Sequence, residues 1–116
     1  MELTEATIIQ ALNLSQRAEW VVANNLANAE TPGYQAQVLS FRQALAKAVS
    51  QGPDAVSAVQ GTLSTLPGRV QANGNNVSVT QQMTFLAQDQ LYYNTAVAAF
   101  NHWATGIKAV AEGKAL

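Results

Sequence analysis

Residues 79–111 read VTQQMTFLAQDQLYYNTAVAAFNHWATGIKAVA. Counting from Val79 in alternating steps of four and three gives Met83, Leu86, Gln90, Tyr93, Val97, Phe100, Ala104, Ile107 and Ala111. Only Gln90 interrupts this row of apolar and aromatic side chains. A row sustained in this way marks an α-helix with one continuous seam, as in a coiled coil. Val77 and Thr80 stand where an entering residue and a cap would be. A helix of about 32 residues is about 50 Å long at 1.5 Å per residue. A compact domain of this mass has a radius of gyration of only about 13 Å. Such a rod cannot be enclosed within one small globule. Val79, Met83, Leu86, Tyr93, Val97, Phe100, Ala104 and Ile107 therefore read as an assembly seam that other molecules help to cover. Phe85, Tyr92 and Trp103 lie off the row and are expected to meet other subunits as well.

The nearest partner for the seam is a first helix from about Thr4 to Asn28. Thr4 is the expected N-cap, with Thr7 as a rival. Ile8, Leu12, Val22, Leu26 and Ala29 follow the same steps, but Ser15 and Glu19 interrupt them. This helix is shorter and its stripe is broken, so it covers the last helix only in part. The expected fold is mainly α. Its N- and C-terminal helices pack as an antiparallel coiled-coil-like hairpin around an irregular middle segment.

Pro32 disfavours helix at Thr31 and so stops the first helix. Pro32-Gly33 suits the central positions of a type II turn, where proline presets φ and glycine supplies a positive φ. In the middle, Ser40 is the expected cap of a short helix in which Phe41, Leu45 and Val49 share a face. Gly52-Pro53 ends that helix, and Asp54 to Gln60 forms one more short turn. Thr62 to Ala72 has strand character around Leu66-Pro67-Gly68-Arg69. Asn73-Gly74-Asn75-Asn76 reads as a turn or linker. The chain thus divides into residues 1–30, 31–76 and 77–116.

Composition narrows the function. Charged residues make up 11% of the 116, against about 25% in an ordinary soluble domain. Few charges mean little desolvation cost when neighbours bury the surface. The net charge of −1 and the lack of a basic stripe argue against nucleic acid and against an anionic membrane surface. No apolar run is long enough for direct membrane insertion. The acidic start, Met1-Glu2-Leu3-Thr4-Glu5, is unlike a secretory signal. There is no cysteine and a single histidine, His102, so no thiolate metal site and no evident catalytic triad. No cofactor is implied, and the expectation is a structural protein rather than an enzyme.

Asn24, Asn25 and Asn28 crowd the end of the first helix, although asparagine is a poor helix former. Their amides suit the open carbonyls of the helix end and its turn, or a neighbouring subunit's backbone. The stretch Ala23-Asn24-Asn25-Leu26-Ala27-Asn28-Ala29-Glu30-Thr31-Pro32-Gly33-Tyr34 resembles the signature of the bacterial flagellar rod, hook and hook-associated axial proteins. Gly74-Asn75-Asn76-Val77 and the helix after it resemble the proximal-rod subunits of that family. Gln35 departs from the basic residue that often follows the motif, and the middle is short.

The resemblance implies a structural subunit of the flagellar basal-body rod that assembles helically through its terminal helices. It also implies partners: copies of itself and other rod subunits, the junction protein and membrane-supramembrane ring at the rod base, and the flagellar type III export gate. The implied location is the periplasmic rod, reached without a cleaved signal peptide. Phe41 and Leu45 match the spacing of the pair read by that gate, although phenylalanine and leucine at i,i+4 also describe a buried helix face. Two other readings stay open: a neighbouring proximal-rod subunit, and a cytoplasmic helical adaptor or secretion chaperone.

Overall fold

The computed structural model describes residues 1–113. In chain order the elements are α1 (Leu3–Ala27), β1 (Gln37–Ser40), α2 (Arg42–Val49), α3 (Pro53–Ala58), β2 (Thr62–Thr65) and α4 (Val79–Ala111). Residues 114–116 of the last expected segment lie outside the described ones. Near the end of α1, Asn25 bonds Gln82 of α4. Near its start, the Trp103 indole N–H donates to Glu2 at 3.1 Å. The two helices therefore run antiparallel along most of α1. The molecule measures 65 × 24 × 14 Å, and its radius of gyration of 17.8 Å exceeds the roughly 13 Å of a compact chain this long.

Both long helices are capped two residues before the expected positions. Glu2, not Thr4, caps α1: its Oε1 accepts the Thr4 N–H at 2.7 Å. The carboxylate also suits the positive end of the helix dipole. Ser78, not Thr80, caps α4, accepting the Gln81 N–H at 3.2 Å. In the middle, Ser40 closes β1 rather than capping α2, whose N-cap Phe41 makes no side-chain bond. β2 pairs antiparallel with β1, Gln37 opposite Thr65 and Ser40 opposite Thr62, and not across the Leu66–Arg69 turn. Proline at 67 donates no ladder hydrogen bond, which confines the strand to the residues before it.

The core is thin and rich in alanine. One cluster joins Ala6 and Ala11 of α1 to Leu45 and Ala48 of α2, Val56 of α3 and Ala96 of α4. A second joins Leu14 and Ala18 to Phe41. Tyr92 packs against both. Its ring meets Phe41 edge-on, with centroids 5.5 Å apart, and the Arg42 guanidinium lies 4.9 Å from its centre. The small middle helices thus fold back over the hairpin.

The interior stripe of α4 is not the predicted row. Its buried residues are Gln82, Asp89 and Ala96, spaced by sevens. Phe85, Tyr92 and Trp103, expected to be left for neighbours, are each partly buried within the chain. The predicted row runs along the flank. Leu86, Tyr93, Val97, Phe100 and Ala104 are half-buried, while Val79, Met83 and Ile107 are 52%, 52% and 53% exposed. Two polar residues account for the shift. Gln82 and Asp89 look like solvent-facing positions, yet each finds a partner elsewhere in the fold, the buried Asn25 and the half-exposed Arg42 respectively.

Asp89 is almost fully buried and sits 3.1 Å from Arg42. Burial raises its carboxyl pKa above the usual value, Arg42 offsets part of this, and the Glu19 carboxylate adds to the rise. A raised carboxyl favours the protonated folded state. The stabilisation linked to Asp89 is therefore full below its unfolded value near 3.8 and is lost as pH rises through the folded value. Asp89→Asn keeps an acceptor for Arg42 and removes the buried charge. Thermal unfolding of the free subunit at pH 7 should show an unchanged or higher Tm for Asp89→Asn. A clear fall in Tm would mean that the ion pair outweighs the desolvation.

Candidate functional site

At the end of the hairpin where α1 stops, the chain must turn, cross back and later enter α4. Asparagine amides hold the path at both ends, and backbone bonds close the turn between them. Asn28 is the C-cap of α1. Its Nδ2 donates to the Asn24 carbonyl at 2.8 Å, and its Oδ1 accepts the Thr31 hydroxyl at 3.0 Å. The following turn closes with the Tyr34 N–H on the Thr31 carbonyl at 3.2 Å, and Gly33 adopts φ +74°. This is the positive φ that a type II turn requires at its third residue.

Asn25 is wholly buried, and its amide is used on both sides. Nδ2 donates to the Gln37 carbonyl at 2.7 Å and to Gln82 Oε1 at 2.9 Å. Oδ1 accepts the Tyr34 hydroxyl at 2.9 Å and the Gln37 N–H at 3.0 Å. Holding both peptide groups of Gln37, the side chain stands in for a strand beside β1. Asn24 donates to the Tyr34 hydroxyl at 3.0 Å. Tyr34 thus links the motif's two ends.

Two more asparagines complete the clamp from the far side of the sequence. Asn75 Nδ2 donates to the carbonyls of Asn28 and Thr31 at 2.7 and 2.8 Å, while its Oδ1 accepts the Val77 N–H at 2.8 Å. It therefore satisfies orphan acceptors at the end of α1 and sets the start of α4. Asn76 Oδ1 accepts the Ala36 N–H at 2.6 Å, and its Nδ2 donates to the Leu66 carbonyl at 2.9 Å. The backbones join directly too: Gly33 N–H to the Asn73 carbonyl at 2.9 Å and Asn76 N–H to the Tyr34 carbonyl at 3.2 Å. Gly74 has φ +85°, and a Cβ there would come within 3.3 Å of Gly33 Cα. The Asn73–Asn76 stretch is a structural staple, not a linker.

The arrangement carries no reactive constellation. Among the described residues no group of three or more His, Cys, Asp or Glu side chains gathers, and no helix is long and apolar enough to cross a membrane.

A family model described as flagella basal body rod protein matches residues 7–35, which span most of α1 and the turn. The chain is 31% identical to the flagellar basal body rod protein FlgB of Escherichia coli strain K12, with 79% of this chain and 80% of that protein aligned. It is 32% identical to the FlgB of Bacillus subtilis strain 168, over 97% and 98%. With the FlgB of Aeromonas hydrophila the identity is 33%, over 86% and 85%. The chain belongs to the flagellar basal body rod protein FlgB family. That family is a structural one, and its members are subunits of the rod.

The family-model match contains one half of the clamp and omits the other. Asn24, Asn25, Asn28, Thr31 and Tyr34 fall inside it, whereas Asn75, Asn76 and Gln82 fall outside. Sequence reading singled out both asparagine stretches, the second as a turn or linker and by resemblance, but it missed Gln82 and the joining of the two. Dense asparagine at residues 73–76 suits a loop and a buried amide cluster equally. Of the other motif positions, Leu26 is half-buried and Ala27, Pro32 and Gly33 are exposed. Phe41 and Leu45 are both core residues, 4% and 3% exposed.

Asn25→Ala removes four hydrogen bonds and leaves the Gln37 peptide and the Gln82 amide without them. Each buried polar group left unsatisfied costs about 1–3 kcal/mol, so a loss of at least about 3 kcal/mol is expected in urea unfolding. Asn25→Asp should rescue little, because a carboxylate would face the Gln37 carbonyl and Gln82 Oε1.

Proposed function

We propose that this chain is a proximal subunit of the flagellar rod that stacks helically through α1 and α4, with sister subunits covering the apolar flank of α4. The observation that carries this reading is the mismatch between the two helices. α4 has 33 residues and α1 has 25. Past Trp103, which reaches Glu2 at the start of α1, α4 continues without a partner helix for about 12 Å at 1.5 Å per residue. Its apolar side chains there, Ile107 and Val110, are 53% and 71% exposed. Val79, Met83 and Leu91 are also more than half exposed on the same helix. Large apolar groups left uncovered along one element mark an association surface.

The relatives favour FlgB over the neighbouring proximal-rod subunit. An antiparallel hairpin suits a chaperone as well, but a chaperone would form a closed dimer. The rod reading implies a free subunit that is monomeric and of low stability, assembled with other rod subunits, the junction protein and the membrane-supramembrane ring. Passage through the type III export gate without a cleaved signal belongs to the same reading. In the folded subunit Phe41 and Leu45 are hidden, so a gate that reads them would meet the unfolded chain.

The decisive test uses Ile107→Glu with Val110→Glu. Both sites are exposed in the free subunit, so each change should alter its stability by no more than about 0.5 kcal/mol. Electron microscopy of basal bodies from cells carrying only this variant should show no rod. Normal rods would overturn the proposed role of the α4 end.

A further inference from the structure

Of the nine asparagines in the chain, Asn73 alone is followed by glycine. That pair carries a chemistry the others lack. The backbone nitrogen after an asparagine can attack the side-chain amide carbon and close a five-membered imide, which makes asparagine a thermolabile residue. A Cβ on the next residue crowds that approach, and glycine has none. Asn73 is also exposed to water, whereas Asn25, Asn75 and Asn76 of the clamp are buried.

We infer that Asn73-Gly74 is a self-modification site: the closed clamp holds it unreactive, and one product of its reaction can no longer close the clamp. The step needs only water. The Gly74 nitrogen bonds to Asn73 Cγ, the Cγ–Nδ2 bond breaks, and ammonia leaves carrying the proton that the nitrogen lost. Water then opens the imide at one of its two carbonyls. Opening at Cγ gives aspartate. Opening at the backbone carbonyl gives isoaspartate, in which the main chain runs through the side chain.

The folded chain opposes the first step. The Gly74 N–H donates to the Gln71 carbonyl at 2.9 Å, so the proton that must leave is in use. The Asn73 carbonyl accepts the Gly33 N–H at 2.9 Å, which fixes the peptide between residues 73 and 74. Gly33 Cα lies 3.3 Å from where a Cβ on Gly74 would stand, so that peptide has little room to turn. One contact favours the reaction: Asn73 Oδ1 accepts the Asn75 N–H at 3.1 Å, and a donor there stabilises the charge that develops on the oxygen. Attack still requires a deprotonated nitrogen turned toward Cγ, and the other contacts prevent both. The reaction therefore runs from chains in which this stretch is open, at a rate set by how often it opens.

The two products act differently on the clamp. Aspartate keeps an oxygen for the Asn75 N–H and leaves the main chain unchanged. Isoaspartate adds one methylene to the main chain ahead of Gly74. That shift carries Asn75 away from the Asn28 and Thr31 carbonyls, and Asn76 away from the Ala36 N–H. The site thus records the time a chain has spent unfolded.

The test follows the purified full chain at one pH and temperature, folded by its helical circular dichroism and, in parallel, in urea. Peptide mass spectrometry should find amide loss at Asn73 at least about tenfold faster in urea, because reaction needs local opening. Loss at the other eight asparagines should be slower. Equal rates in the two states, or faster loss at another asparagine, would overturn the inference. Asn75→Ala leaves Asn73 and Gly74 in place but releases the stretch, so it should raise the folded-state rate; an unchanged rate would remove the clamp as the gate. Returned from urea, the isoaspartate form should melt below the unmodified chain, while Asn73→Asp should melt with it. An isoaspartate form of unchanged Tm would overturn the effect on the clamp.

Discussion

One buried amide holds the architecture together. Asn25 links the end of α1 to the first residue of β1, to Tyr34 in the turn and to Gln82 in the first turn of α4. These are the three places at which the chain leaves the hairpin, folds back and returns. A buried amide is costly unless its bonds are made, and that cost gives the arrangement its uniqueness. If the turn slipped by one residue, Asn25 would lose the Gln37 peptide. If α4 rotated by one position, it would lose Gln82. The alanine-rich core alone could not impose such precision, because small side chains pack acceptably in several registers.

That constraint explains why a motif dense in asparagine sits at the end of a helix. The three residues 24, 25 and 28 cost helix propensity where they stand. In return they direct the chain through a turn and receive Asn75 from 47 residues later. Their amides are engaged within the subunit. The large apolar side chains left exposed are of a different kind: they lie on the flank and free end of α4, at Trp20 and at Leu63. Polar groups set the shape of the hairpin, and apolar groups are left outside it.

The same division decides what could be read from the sequence. The hairpin was legible because helical periodicity needs only the spacing of apolar residues. The Thr31–Tyr34 turn was legible because proline and glycine restrict φ on their own. The phase of α4 was not. Gln82 and Asp89 face inward through partners far away in sequence, and no local pattern marks a glutamine as buried. Ser15 misled in the same way: it interrupts the stripe of α1 yet is wholly buried, with its hydroxyl turned back to the Leu12 carbonyl. Of the two-stranded sheet, strand character was legible from Thr62, but β1 and its pairing were not, because the strands are four residues each and are separated by two short helices. For the clamp, both asparagine stretches were visible as motifs. Joining them required knowing that residues 73–76 return to the end of α1.

The smallest dimension of the molecule, 14 Å, is little more than one helix with its side chains. A body so flat has room for only a thin core, rich in alanine. It resembles a stave more than a globule. A stave derives its rigidity from being clasped edge to edge in a ring, and alone it bends. Resistance to twisting in such a protein would then belong to the collective, and a single substitution on a broad face would be felt as a looseness of the whole shaft.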